Sequence, residues 1–162
     1  MSRCILGERV RYDGEIRHYP ELNQWLAQHC RTLEVCPEVE MGLSVPRPPL
    51  QLVQAANGIQ MRGRDDPELD VSAAMQQFCQ QRPPQLGEIH GYIFKSRSPS
   101  CGIADIPLFN QQNEVIGHGR GLFVSAMLQL YPTLPITDEQ QLDNHDAFMD
   151  FLQQVRDYRQ QL

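Results

Sequence analysis

Three cysteines of this chain stand where exposed chemistry is usually built. Cys4 lies in "MSRCILG", Cys36 precedes Pro37 and Glu38 in "CPEVE", and Cys101 sits between Ser98-Pro99-Ser100 and Gly102 in "SRSPSCG". An unreactive thiol is mostly a small buried hydrophobe, whereas serine, proline and glycine around a thiol are loop residues, the places where binding and catalysis concentrate. The other two of the five cysteines, Cys30 and Cys79, fall on amphipathic helical stretches and read as packed side chains. An odd number of cysteines with no C-x-x-C pair argues against a secreted disulfide framework and for thiols or metal ligands in a reducing compartment.

Three convergent thiolates suit two kinds of centre. A cubane iron-sulfur cluster normally takes four cysteines, so three leave one iron open. Zinc with three cysteines needs a histidine as its fourth ligand, and His18, His29, His90, His118 and His145 are available. Plain burial of the three thiols is the remaining reading. Glu38, beside Cys36, is placed for general acid-base work or is a solvated loop carboxylate. Ser98 can aim a hydroxyl at a substrate or cap a turn. Arg47 in "PRPP" can donate to a carbonyl or brace its loop. The "GHGRG" segment around Gly119 lacks the spacing of a phosphate-binding or dinucleotide loop; its glycines allow close approach of backbone to a ligand, with a helix N-terminus behind.

The elements that must position these groups follow from periodicity. "CILG" reads as the end of a short strand, "PELNQWLAQHC" as a helix opened by Pro20, and "TLEVCPEV" as a strand stopped by Pro37. Two strand candidates joined around Asn57-Gly58 predict a hairpin. "DPELDVSAAMQQFCQQR" predicts a helix starting near Asp66-Pro67, and "IHGYIFK" a buried strand running into the Cys101 loop. "GHGRG" predicts a loop that leads into an apolar helix. An amphipathic helix capped near Asp143 or Asn144 is predicted over about 143–161. The order predicts one α/β domain over 1–162, a largely parallel, Rossmann-like sheet with flanking helices and a small β-hairpin. Ligands of such sheets bind beyond the carboxyl ends of the strands, where Cys4, Cys36 and Cys101 would meet.

Composition sets the outer bounds. The 162 residues fit one domain, and 41% hydrophobic with 21% charged residues is ordinary for a globular protein. A formal charge of -6 argues against nucleic acid as a partner despite Arg9, Arg11 and Arg17 near the start. No apolar run approaches the roughly 18 residues of a membrane span, and the first residues lack a signal-peptide core. A cytoplasmic protein is the expectation.

"CILGERVRYDG", "CPEVEMGLSVPRPP", "FKSRSPSCG" and "GHGRG" before an apolar helix, in that order over residues 4 to 131, resemble the motifs of the thiouracil desulfidase family, formerly a domain family of unknown function. The resemblance implies a 4Fe-4S cluster held by Cys4, Cys36 and Cys101 with one open iron, and losable in air. It implies desulfuration of a thiolated uracil, 2- or 4-thio, to uracil, the sulfur passing to the open iron and leaving as sulfide or to an acceptor. Glu38 would then be the acid or base, Ser98 would position the base or the attacking water, and Arg47, Ser100 and Gly119 would contact the substrate. Val10 stands where some relatives carry another cysteine, and the lead-in to Cys4 is shorter than in most. With the acidic charge, a free base or small nucleoside is the expected substrate. Two other readings share these cysteines: a non-catalytic iron-sulfur or zinc module that stores sulfide or senses redox state, and a persulfide carrier built on Cys101, its thiolate favoured by Lys95 or Arg97.

Overall fold

The computed structural model describes all 162 residues. After a 3-10 turn at Arg3–Leu6 come helices α1 (Pro20–His29) and α2 (Pro37–Glu40), strands β1 (Leu50–Ala55) and β2 (Gly58–Gly63), and helix α3 (Ser72–Gln85). Strands β3 (Tyr92–Phe94), β4 (Ile106–Phe109) and β5 (Val115–Gly119) precede α4 (Leu122–Leu130), β6 (Ile136–Asp138) and α5 (His145–Gln160).

The larger sheet has the order β2-β1-β4-β5. Only its central pair, β1 with β4, is parallel; both flanking pairs are antiparallel. The expected largely parallel sheet is therefore a mixed one. The reason lies in the two hairpins: β1–β2, which the Asn57-Gly58 pattern announces, and β4–β5, whose second strand, "VIGHG", runs into the first half of the "GHGRG" segment expected to be loop. Parallel pairing is concentrated elsewhere, in β3 and β6. There the Ser2 amide donates to the Ile93 carbonyl (2.9 Å), and Ser2 forms a parallel bridge with Val35. The expected strands around Cys4 and Cys36 shrink to these single-residue bridges, because the 3-10 turn and Pro37 end each of them at once.

Strand β3 explains why this small parallel unit is stable. Tyr92 and Phe94 point into one apolar cluster with Val35, Phe123, Val124 and Met127, and Ile93 points into another with Leu22, Leu26, Phe148, Phe151 and Leu152. Successive strand side chains face opposite ways, so α3 and α4 cover one face and α1 and α5 the other. A strand covered on both faces reads as a continuous apolar run, as "YIF" does. Helix α5 begins as expected, with Asn144 Oδ1 accepting the Ala147 amide (2.9 Å). Helix α3 begins later than its acidic lead-in suggested: Leu69 N–H turns back to the Asp66 carbonyl (3.1 Å) and Asp70 bridges to Arg62. No helix is long and apolar enough to cross a membrane.

Candidate active site

A cleft of about 840 Å³ opens where the chain leaves Ser2, Val35, β3 and β6. Its walls include Cys4, Cys36, Cys101, Glu38, Arg47, Ser98 and Ser100, so seven of the eight residues singled out in the sequence come together. Gly119 does not line it; it closes β5 and pairs with Ile106.

The Cys101 loop is held from several directions. Ser98 Oγ accepts the amides of Ser100 (3.2 Å) and Cys101 (3.1 Å), and Gly102 N–H returns to the Ser98 carbonyl (2.7 Å). The first amides of α4, on Leu122 and Phe123, donate to the carbonyls of Pro99 (3.1 Å) and Ser100 (3.0 Å). The helix terminus behind "GHGRG" thus binds carbonyl groups, as its unsatisfied N–H groups favour, but they are the chain's own. Gly121 makes this approach possible, since a Cβ there would stand 2.4 Å from the Ser100 carbonyl oxygen and 2.7 Å from the Cys101 amide nitrogen. Gly121→Ala is expected to push the Cys101 loop away at a cost of about 1–3 kcal/mol, read as a lower urea midpoint. Cys36 is fixed differently: its amide donates to Glu40 Oε1 (3.0 Å), while Glu40 Oε2 pairs with Arg82 of α3 (2.7 Å).

Two carboxylates are anchored in the cleft. Glu38 accepts Ser100 Oγ on Oε1 (2.8 Å) and Arg47 Nε on Oε2 (2.8 Å), and the Arg47 side chain is 5% exposed. Arg47 and Ser100 therefore orient Glu38. The second carboxylate, Glu139, follows β6 and was not singled out in the sequence. Its Oε2 accepts the Ser96 amide (2.9 Å), and Oε1 accepts Ser96 Oγ (2.5 Å) and the Lys95 ammonium. Burial pushes the Glu139 carboxyl up, but the hydrogen bonds from Lys95 and Ser96 outweigh it and hold the group below the usual carboxylate range.

The model of the family described as 2-thiouracil desulfurase matches residues 1–139. The chain belongs to that family. Among solved structures it is similar to the 4Fe-4S-dependent thiouracil desulfidase TudS, with 28% identity, a TM-score of 0.67, and coverage of 92% of this chain and 95% of the other. No curated protein sequence matches it significantly. Membership makes the chain a desulfidase, an enzyme, and together with the solved structure points to an iron-sulfur cofactor.

The thiols of this desulfidase suit such a cofactor. Burial pushes Cys4 up to about 12, with Cys36 adding to the rise and Lys95 and Arg11 opposing it. Burial likewise raises Cys36, and it raises the buried Cys101 well above the usual thiol range. Such thiols ionise when a bound metal supplies the missing positive charge. They are soft donors, matched to iron or zinc. No three His, Cys, Asp or Glu side chains gather closely enough for a single metal ion, and none of the five histidines lines the cleft. The same burial works against the sulfur-carrier reading: Cys101 is 4% exposed, and a carrier needs an accessible thiolate.

The local charge of the cleft differs from that of the chain. Arg3, Arg11, Arg17, Arg47, Arg64, Lys95 and Arg97 line it against only Glu38 and Glu139, in a protein of net charge -6. Ion pairs to Glu8, Asp13, Glu15 and Asp65 outside the lining moderate four of these. Arg97, in a turn with φ 55°, faces solvent without a carboxylate partner.

Proposed function

We propose that this cleft removes sulfur from a thiolated uracil by hydrolysis, converting C=S to C=O and releasing sulfide. The reading is carried by one observation: cysteines from three separate segments of the chain share a cleft with an anchored carboxylate. Cys4, Cys36 and Cys101 would hold a four-iron cluster whose fourth iron has no protein ligand. When bound, that cluster supplies a Lewis acid with affinity for thiocarbonyl sulfur.

The chain's own residues handle water and protons. Glu38 takes a proton from the attacking water and returns it as the carbon–sulfur bond breaks. Arg47 holds Oε2, so Oε1, shared with Ser100, is the oxygen left to do this. Ser98 spends its acceptor capacity on the two loop amides, which leaves its hydroxyl proton to orient the base or the water.

Arg97, the one cation of the cleft without a carboxylate partner, favours an anionic substituent on the substrate. An unpaired positive charge at a cleft wall raises the local concentration of anions, so a small thionucleotide suits it better than the free base or small nucleoside that the net charge suggested. The test uses protein reconstituted anaerobically to about four irons per chain, with sulfide release measured from 2- and 4-thiouracil, 4-thiouridine and its 5′-monophosphate. The expected order in kcat/KM puts the monophosphate first by about tenfold, an advantage that shrinks with added salt. Equal rates for base and monophosphate would remove the anionic substituent from the proposal. Loaded protein that releases no sulfide from any of them would favour a storage or sensing module.

A further inference from the structure

The chain contains thirteen arginines and a single lysine, and that lysine lies in the cleft. Lys95 follows β3 directly, and its backbone amide donates to Ser2 Oγ (3.0 Å), fixing the start of its side chain. The ammonium contacts Glu139 Oε1, Ser96 Oγ (3.0 Å) and the Ser96 carbonyl (3.3 Å). Both oxygens of Glu139 are already engaged by the chain's own donors, and its side chain is 3% exposed. That carboxylate is therefore a seat for the ammonium and not a second base. Of the three contacts of Lys95 Nζ, the carbonyl at 3.3 Å is the weakest, so a bound molecule can take over that proton while the other two stay in place.

The residue type matters. An ammonium is a compact charge whose three protons can be re-aimed, whereas a guanidinium presents a fixed planar fork. This chain uses the fork to clamp Glu38 and places its one side-chain ammonium on the loop that leads to Cys101. Hydrolysis of a thiocarbonyl needs such a charge. Water adds to carbon, the electron pair of the C=S bond moves onto sulfur, and when the C–S bond breaks sulfur keeps the pair. Glu38 manages the proton of the water; negative charge grows on the sulfur side. A fixed cation aimed at the sulfur lowers the energy of that arrangement more than of the uncharged substrate.

We infer that Lys95, seated on the buried Glu139, is a second catalytic residue of this cleft, the cation that pairs with the negative charge developing on the departing sulfur. The inference rests on the desulfuration reading above, and wild-type turnover tests that reading separately. In enzyme loaded with iron under anaerobic conditions, Lys95→Met lowers kcat for the thiolated uracil about a hundredfold with KM nearly unchanged and iron content intact, the loss typical of removing one charge-stabilising donor. Glu139→Gln, which loosens the seat, loses less. The second measurement uses the wild-type holoenzyme. ¹⁵N-labelled lysine places one side-chain label on Lys95, the chain's single lysine, with its three protons intact, and hydrosulfide is titrated against the Nζ resonance. The resonance moves with saturable hydrosulfide binding if Lys95 meets sulfur. Lys95→Met with at least a third of the wild-type kcat, or a resonance that hydrosulfide leaves in place, overturns the inference. If Lys95→Met does not fold or load iron, the resonance of the wild-type holoenzyme decides alone.

Discussion

Cys101→Ser is expected to reduce iron loading from about four per chain to less than one and to abolish sulfide release. A hydroxyl is a hard, poorly ionised donor beside a thiol and does not replace soft thiolate at iron. The loop offers no substitute ligand. Its backbone is tied to Ser98, to Gly121 and to the first amides of α4, so it cannot swing another side chain inward. The fold should survive, because Cys101 belongs to an apolar cluster dominated by larger neighbours such as Phe94, Phe123 and Met127. Iron content, charge-transfer absorbance and a thermal melt on one preparation separate loss of the cluster from loss of the fold. Cys79→Ser is the matched control. Cys79 lies on α3, packed against the same core but away from the cleft, and its replacement should leave iron and turnover unchanged. Iron retained in Cys101→Ser would mean that the three cysteines are not the ligand set.

The residues that gather in the cleft were more legible than the topology, for a local reason. Cys36-Pro37, Ser98-Pro99-Ser100-Cys101-Gly102 and Asn144 before α5 advertise themselves through turn and cap residues only a few positions apart. Pairings set by tertiary structure leave no such trace. Glu139 meets Lys95 only because β3 lies parallel to β6, and β6 is three residues long, too short for periodicity to register. Its one sequence signal was compositional, the solitary lysine among thirteen arginines. The two glycines of "VIGHG" hid β5, since glycine is depleted in strands, and without β5 the sheet looked more parallel than it is. Arg47 and Ser100, expected to contact a substrate, lie in the same cleft as the three cysteines, and there they meet Glu38. Their types say only that they donate hydrogen bonds, and Glu38 takes those bonds.

Glu38→Gln should leave the iron content unchanged and lower kcat by about a hundredfold to ten-thousandfold, the range expected when a general acid-base group is lost. Glutamine keeps the length of the side chain and one acceptor oxygen, but it cannot take a proton from water. Two effects must be told apart, because Glu38 also neutralises Arg47. Removing one partner of a buried ion pair typically costs about 3–5 kcal/mol of stability, and both side chains here are nearly enclosed, 11% and 5% exposed. A kcat measured too close to the melting temperature would mix unfolding with chemistry. Arg47→Gln separates the two. It breaks the same pair while keeping the carboxylate, so it should match Glu38→Gln in the urea midpoint yet lose only about tenfold in kcat, since an unanchored base still accepts protons but spends less time aimed at the water. Equal rate losses in the two variants would make Glu38 a structural partner of Arg47. A loaded Glu38→Gln protein that turns over normally would move proton transfer to another group in the cleft. The gap between the two variants therefore measures the carboxylate's chemistry free of its part in holding the cleft together.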